Sequence, residues 1–505
     1  MPNVGFVNEI MRPRIREYNK IKDCLAGSDA VKAKGTVYLP NPEPDPDGDK
    51  NGPAAKRYND YITRAVFYNV TERTQVGLVG QVFLRDPLVE VPPILDPVVQ
   101  DATGSGVPLQ QLANQATGYA VGYGRLGLFV DYPATNQVAE DVDAARPASK
   151  AEIEAGDIRP TITVIAPWDG INYRVIRKGA KIVLSLVVFR EDRITQDDGF
   201  EQKKQDQFRV LRLDETGHYV NEVYYNKQGT QPDEQYFPLD AKGARLTEIP
   251  FTFVGSVNNE PTPDKPPLLD MAELNLAHYR NSADYEESVF ITGQPTPVLA
   301  GLTEEWVTKV LGGKVRLGAR GAVPLPEGGS ATLLQAEPNT LAKEAMDQKE
   351  AQMLALGAKL VEGSQVQRTA TEADIDNVSE TSVLSTVAKN VGSGFKWALE
   401  WAAVFAGASE EGIAYELNTE FDLVNMTPEE RKALMAEWQA GAISFTEVRD
   451  NLRRAGVASL DDKTAKAEIE QEMQSAVDRE LATQEEQARI AAENNPGNGN
   501  NPDDN

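Results

Sequence analysis

The 505-residue sequence holds one cysteine, Cys24, and only two histidines, His218 and His278. A single thiol excludes an internal disulfide framework and fits a reducing compartment. Two histidines leave no room for a multi-histidine metal centre and make a Ser/His relay a poor expectation. No G-x-x-x-x-G-K-[ST] phosphate loop occurs. "GGKV" at 312–315 lacks both the hydroxyl residue and the upstream glycine spacing, so the chain does not read as a motor ATPase. Apolar runs never approach the roughly eighteen residues that a membrane helix needs. The start, "MPNVGFVNEIMRPRIREY", is amphipathic and has no apolar signal core. Positive charge is scarce too: 51 Lys and Arg stand against 77 Asp and Glu, a formal net charge of -26. Such a surface repels nucleic acid more than it holds it.

What is present is a globular composition, with 41% hydrophobic and 25% charged residues, long enough for more than one core. Residues 1–36 read as helical, ending near Gly35, and "YLPNPEPDPDGDKNGP" (38–53) reads as a loop. Helical patterns return at 54–83 and 108–124, the second followed by a strand in "RLGLFVDYP". From 160 to about 256 the pattern turns to short β segments rich in Val, Ile and Tyr, bounded by Gly, Asp and Asn.

A helical stripe then runs from Leu268 through Met271, Leu274 and Ala277 to Val289, with Pro267 at its start. Residues 302–338 read as short, Gly-rich and irregular, and a second helical rod covers about 340–361. Between it and the next helix lies a small polar loop with one Arg. Thr369 and Glu372 have capping-box spacing for that third helix, in which Gly392 and Gly394 predict a kink. "IAYELNTEFDL" (413–423) reads as a strand. Capped helices follow, one starting at Thr427 and stopping at Gly441, the next capped by Ser444 and Glu447. The end, "NNPGNGNNPDDN", reads as a disordered tail.

Three motifs invite functional readings. "GYGRLG" (Gly122, Gly124, Gly127) has the dinucleotide spacing, but it ends a helix and opens a strand, the reverse of the required order, so a turn with close packing is the better reading. "DGDKNG" places Asp47, Asp49, Asn51 and Gly52 as in a calcium loop, yet Tyr58 stands where the bidentate Glu should be, and a solvated acidic turn is the plainer account. Between Trp306 and Pro326, Lys309, Lys314, Arg316 and Arg320 meet no acidic residue. That basic island is either a docking surface for an acidic partner or DNA, or an ordinary solvated loop. No catalytic residue and no cofactor is expected.

Four long segments carry a family resemblance: "AVFYNVTERTQVGLVGQVFLRDP" (65–87), "GRLGLFVDYP" (124–133), "AELNLAHYRNSADYEESVFITGQPTPVLAG" (272–301) and "RTATEADIDNVSETSVLSTVAKNV" (368–391). With the order of elements, they resemble a portal family of tailed bacteriophages, over roughly residues 37–480. The resemblance implies an α+β portal fold. Residues 1–266, with strand 413–423 returning to them, would form the wing. Residues 267–292 and 339–361 would form paired stem helices flanking a small clip at 293–338. A tunnel loop at 362–370, a kinked helix at 371–406 and a helical crown at 424–492 would complete the subunit, ahead of the tail at 493–505.

By the same resemblance the chain would form a ring, usually of twelve copies, at one capsid vertex of the virion, assembled in the host bacterial cytoplasm. It would conduct double-stranded DNA during packaging and ejection. Its partners would be its own copies, the terminase motor, the head-to-tail adaptor, and the major capsid and scaffolding proteins, with no membrane. Gly363, Ser364, Gln365, Gln367 and Arg368 would line the channel constriction, and Trp306, Lys309, Lys314, Arg316 and Arg320 would dock the motor or adaptor. The rival reading is a ring-forming tail or baseplate protein that conducts no DNA.

Overall fold

A computed structural model of the chain describes residues 3–42, 51–132, 158–293, 296–312, 323–334, 340–361, 382–419, 421, 428–454, 458, 464–469 and 471. It divides into two compact units, Met1–Thr419 and Glu420–Asn505.

The first unit opens with helices α1 (Met11–Ala26) and α2 (Ser28–Ala33), α3 (Pro53–Arg64) and α4 (Val70–Val82), then the short α5 (Asp96–Gln100) and α6 (Leu109–Tyr123). The single opening helix expected from the pattern is two, because Gly27 stands at φ +91°, outside helical space. The pattern at 54–83 likewise splits. Asn69 restarts the helix by accepting a hydrogen bond from Glu72 N at 3.1 Å. Gly124, at φ +69°, ends α6 and turns the chain straight into β2 (Arg125–Asp131); a Cβ there would lie 3.0 Å from Lys265 O. "GYGRLG" is thus a helix stop and a close-packed strand start. Within β2, a Cβ on Gly127 would strike the Phe251 ring at 2.4 Å.

β2 is the centre of an antiparallel sheet with β3 (Thr161–Ile165) and β9 (Phe251–Gly255), and six of its seven residues are buried. That burial reflects cover on both faces. The second sheet is an antiparallel meander, β4 (Gly170–Lys178), β5 (Lys181–Asp197), β6 (Gln202–Leu213), β7 (Tyr219–Tyr224) and β8 (Glu234–Tyr236), in consecutive order. The long β5–β6 pair extends as a ribbon, with a register shift between Ile194 and Gln196. The architecture is α+β: antiparallel sheets with helices packed around them.

Two long helices follow, α7 (Leu269–Thr292) and α9 (Leu341–Val361). Between them come β10 (Thr296–Ala300), the short α8 (Glu304–Lys309) and β11 (Ser330–Leu334). α10 (Val383–Ala406) then packs on α6, β2 and β9. It runs uninterrupted through both glycines. A Cβ on Gly394 would lie 2.5 Å from Val254 Cγ2, and one on Gly392 would lie 3.2 Å from Tyr415 O. The glycines therefore serve close packing. The start expected for this helix at 371 is not where its described part begins. Ser382 is extended and caps it, accepting from Ser385 N at 3.1 Å, while Thr369 and Glu372 lie outside the described residues. The strand expected over 413–423 is shorter, β12 (Ala414–Glu416), and it pairs antiparallel with β1 (Leu88–Glu90).

The second unit contains α11 (Pro428–Gln439) and α12 (Phe445–Arg454). Gly441, at φ +75°, follows α11. Ser444 N donates to Glu447 Oε2 at 2.6 Å and Glu447 N donates to Ser444 Oγ at 3.2 Å, a reciprocal capping box that starts α12.

Candidate functional site

α7 is long because its sequence carries many good helix formers, with three each of Leu, Ala and Glu, and no Gly or Pro, and it measures ~36 Å for its 24 residues. One buried stripe, Ala272, Asn275, Leu276, Tyr279, Ser282 and Ala283, follows helical spacing and faces α1, α3 and α4. Polar side chains fasten the same face. Asn275 Oδ1 accepts from Thr71 N at 3.2 Å and Thr71 Oγ1 at 2.9 Å, and its Nδ2 donates to Tyr68 O at 2.7 Å. Ser282 Oγ accepts from Val66 N at 2.9 Å, and the Tyr61 hydroxyl donates to Asp284 at 2.6 Å. Arg64 pairs with Glu287. Burial and the Asp284 hydrogen bond push the Tyr61 hydroxyl far above its ordinary pKa. This staple was not foreseen. The signal for it was a polar Asn amid an apolar stripe, which calls for buried partners.

Beyond Ala283 the helix emerges from the body, and Val289, Phe290 and Ile291 are exposed. Arg64 sits 4.3 Å over the Phe290 ring.

α9 packs along α7. His278 Nε2 lies 3.3 Å from Glu350 Oε1, and a Cβ on Gly357 would lie 3.6 Å from Met271 Cε. Moving from 271 to 278 on α7 retreats from 357 to 350 on α9, so the helices are antiparallel. His278 is a buried packing residue of that seam, next to the Tyr68 ring at 6.1 Å. His218 is elsewhere, its Nδ1 2.8 Å from Thr216 Oγ1 in a turn. Only Met353 of α9 is buried, while Leu341 and Leu354 are 69% and 72% exposed. A cleft of about 270 Å³, lined by Leu78, Gln81, Met353, Gly357 and Val361, separates the C-terminal half of α9 from α4.

At the free end of the pair, β10 and β11 form an antiparallel ladder with Val298 opposite Thr332. The segment is therefore more regular than its glycines suggest. Thr303 caps α8 by accepting from Trp306 N at 3.3 Å, and Trp306 Nε1 donates to Pro324 O at 3.2 Å. Lys309 is not free of acid as its sequence window suggests. Glu305, one turn upstream and just outside that window, pairs with it. Both side chains are mostly solvated, so the pair contributes little. Lys314, Arg316 and Arg320 lie outside the described residues, as do Gly363, Ser364, Gln365, Gln367 and Arg368. The structure therefore brings Trp306 and Lys309 onto one short helix and leaves the other candidate residues unaddressed. Their surroundings are described only as far as Val361, the last residue of α9, and again from Ser382, the cap of α10.

Asp47 and Asp49 also lie outside the described residues. Tyr58, where a calcium ligand would stand, donates its hydroxyl to Leu39 O at 2.5 Å. Among the described residues no group of three or more His, Cys, Asp and Glu is placed to hold a metal ion, and no helix is long and apolar enough to cross a membrane. Cys24 is buried, and burial pushes its thiol up to about 12.

A family model described as a domain of unknown function, DUF4055, matches residues 267–406, which run from the start of α7 to the end of α10. No curated protein matches the chain. Two solved structures overlap it loosely. The neck of an empty GTA particle, computed with C6 symmetry, is 14% identical over 79% of this chain and 93% of that one, at a TM-score of 0.38. The neck of a native GTA particle, computed with C12 symmetry, is 15% identical over 76% and 89%, at 0.39. Overlaps so loose carry no argument about function.

Proposed function

We propose that the chain is a portal-type head-to-tail connector subunit without catalytic activity. Copies form a ring, most simply of twelve, at a capsid vertex of a virion, and DNA passes along the ring axis. The observation that carries this reading is the helix pair. α7 is bolted to the body by Asn275, Ser282 and Asp284. α9 lies antiparallel beside it with a single buried side chain, Met353. A rod so poorly covered within one copy is accounted for by burial against neighbouring copies. The small β10–α8–β11 excursion at the far end fits a clip that meets the terminase motor and later the adaptor. The formal charge of -26 suits a conduit, because each phosphate neutralised by a basic lining would add affinity and drag.

Native mass spectrometry with negative-stain imaging tests the assembly. A closed ring with an open axis and a protruding stalk is expected, and a persistent monomer at micromolar concentration under all conditions rejects it. A non-conducting tail or baseplate ring is separated by particles carrying Arg368→Ala or Arg368→Glu, beside a Glu362→Gln control. Conduction predicts altered DNA packaging or retention with normal rings. Unchanged packaging for both Arg368 variants favours the non-conducting ring.

A further inference from the structure

The meander sheet has two exposed tips at opposite ends of β5, and their chemistries are complementary. At one end, residues 174–182 are all exposed. They form the β4–β5 turn and carry Arg174, Arg177, Lys178 and Lys181 with no acidic residue. None of these four makes an ion pair with a described residue; Arg177 and Lys178 donate only to the carbonyls of Gly179 and Thr247. Val175, Ile176 and Ile182 lie among them, with Ile182 at 71% exposure. Ile182 stands opposite Arg177 in the ladder, so cation and aliphatic side chain share a face.

At the other end is the β5–β6 turn, where Asp197, Asp198 and Glu201 surround Phe200, the most exposed large hydrophobic residue among the described residues at 102%. The turn is tightly held. Gly199 N donates to Asp197 Oδ1 at 2.8 Å, and Phe200 N and Glu201 N donate to Asp198 Oδ1 at 2.9 and 2.6 Å. These bonds also hold both carboxyls below their ordinary pKa range. Lys204, further along β6, is already engaged by Asp192 at 3.3 Å.

We propose that the two tips are the halves of a head-to-tail contact between neighbouring copies: the acidic, Phe200-bearing turn of one copy seats on the basic, aliphatic turn of the next. Exposed apolar groups at both ends cost solvation unless something covers them. Opposite charges at opposite ends of one rigid element make a heterologous interface, the kind that closes into a cyclic ring. DNA or an anionic lipid surface would meet the four cations but would leave Phe200 and its carboxylates unexplained, and both are repelled by a chain of charge -26. The proposal rests on the ring reading above and assigns one of its contacts.

The test is a pair of cysteines, Ile182→Cys with Phe200→Cys, in the full chain, oxidised after assembly and run without reductant. The 17 residues of β5 span ~56 Å, whereas a disulfide needs Cα atoms ~6 Å apart, so any bond between these positions links two copies. A ladder of multimers from the double variant, absent from either single variant, is the expected result. Arg177→Glu with Lys181→Glu should lower ring yield at least tenfold at low salt, and adding Glu201→Lys should restore at least part of it. Glu201 suits this swap because its side chain takes no part in holding the turn. Rings that assemble normally but give no ladder overturn the contact while leaving the portal reading intact; absence of any ring overturns the portal reading itself. Loss of binding to DNA or anionic vesicles in the Arg177/Lys181 variant, with ring yield unchanged, also overturns the contact.

Discussion

Replacing Asn275 by Leu should loosen the joint between α7 and the body. Asn275 is fully buried, and its amide serves the first turn of α4. Its four bonds, among them one that Oδ1 accepts from Val70 N at 3.2 Å, are not equally exclusive. Val70 N and Tyr68 O also bond each other at 2.9 Å, so they keep a partner when the amide is lost. Thr71 N has Asn275 Oδ1 as its acceptor at 3.2 Å, and the Thr71 hydroxyl donates to the same oxygen at 2.9 Å. Leu fills the volume but accepts nothing, so one buried amide and one buried hydroxyl are left unpaired. At roughly 1–3 kcal/mol for each orphaned group, the loss should be about 2–6 kcal/mol. Urea unfolding at fixed protein concentration measures it, and hydrogen exchange over 66–82 and 269–283 localises it. Thr71→Val in the Asn275→Leu background should cost less than in the parent, because the hydroxyl has already lost its acceptor. A loss below about 0.5 kcal/mol with unchanged protection at Thr71 would refute the staple.

Two glycines should respond in opposite senses to alanine. Gly394→Ala places a Cβ 2.5 Å from Val254 Cγ2 and 3.0 Å from Leu128 Cδ1, so overpacking of about 1–3 kcal/mol should exceed the helix gain of about 1. Gly357→Ala meets only ordinary contacts, 3.6 Å to Met271 Cε, and should stabilise by roughly 0.5–1 kcal/mol; thermal or urea unfolding distinguishes the two, and equal effects reject the packing argument. Asp131 closes β2, where burial raises its carboxyl from 3.8 to about 6 against the pull of Arg209. A raised acid costs little below the unfolded value near 3.8, costs increasingly as pH rises from about 4 to 6, and costs a constant amount above that. Asp131→Asn should therefore gain on the order of 3 kcal/mol at pH 8 and almost nothing at pH 4, and a gain independent of pH in urea unfolding would reject it.

How much of this was readable in advance follows the range of the physics involved. The ends of α7 and α9 were legible within a few residues because Pro267, apolar periodicity and composition act over one or two turns. The capping box at Ser444 and Glu447 was legible for the same reason. Gly27 was read as part of a helix because a glycine leaves open which way φ will go, and the interactions that choose lie elsewhere in the chain. Gly392 and Gly394 are the clearest instance. In a helix read alone, paired glycines weaken the ladder and predict a kink. In the fold Val254 comes close enough to Gly394 to exclude a Cβ, and Tyr415 O leaves one at Gly392 only a tight 3.2 Å. Both readings start from the missing side chain, and only the neighbour, more than a hundred residues away in the case of Val254, decides between them.

The same reasoning bears on the candidate site. Asn275 and Thr71 are far apart in sequence, so nothing local pairs them, yet a lone amide on a buried helix face requires such a partner. Lys309 shows the reverse error. A window drawn from Trp306 excluded Glu305, which helical geometry places one turn away and in contact. Charge islands read along the sequence must therefore be widened by a helical turn at each end before their cations are counted as free. The β4–β5 tip passes that test in space as well as in sequence: its four cations have no acidic neighbour in the ladder, and none forms an ion pair with a described residue. Excess positive charge on a chain this acidic persists only where the fold holds acids away from it, as it does at that tip.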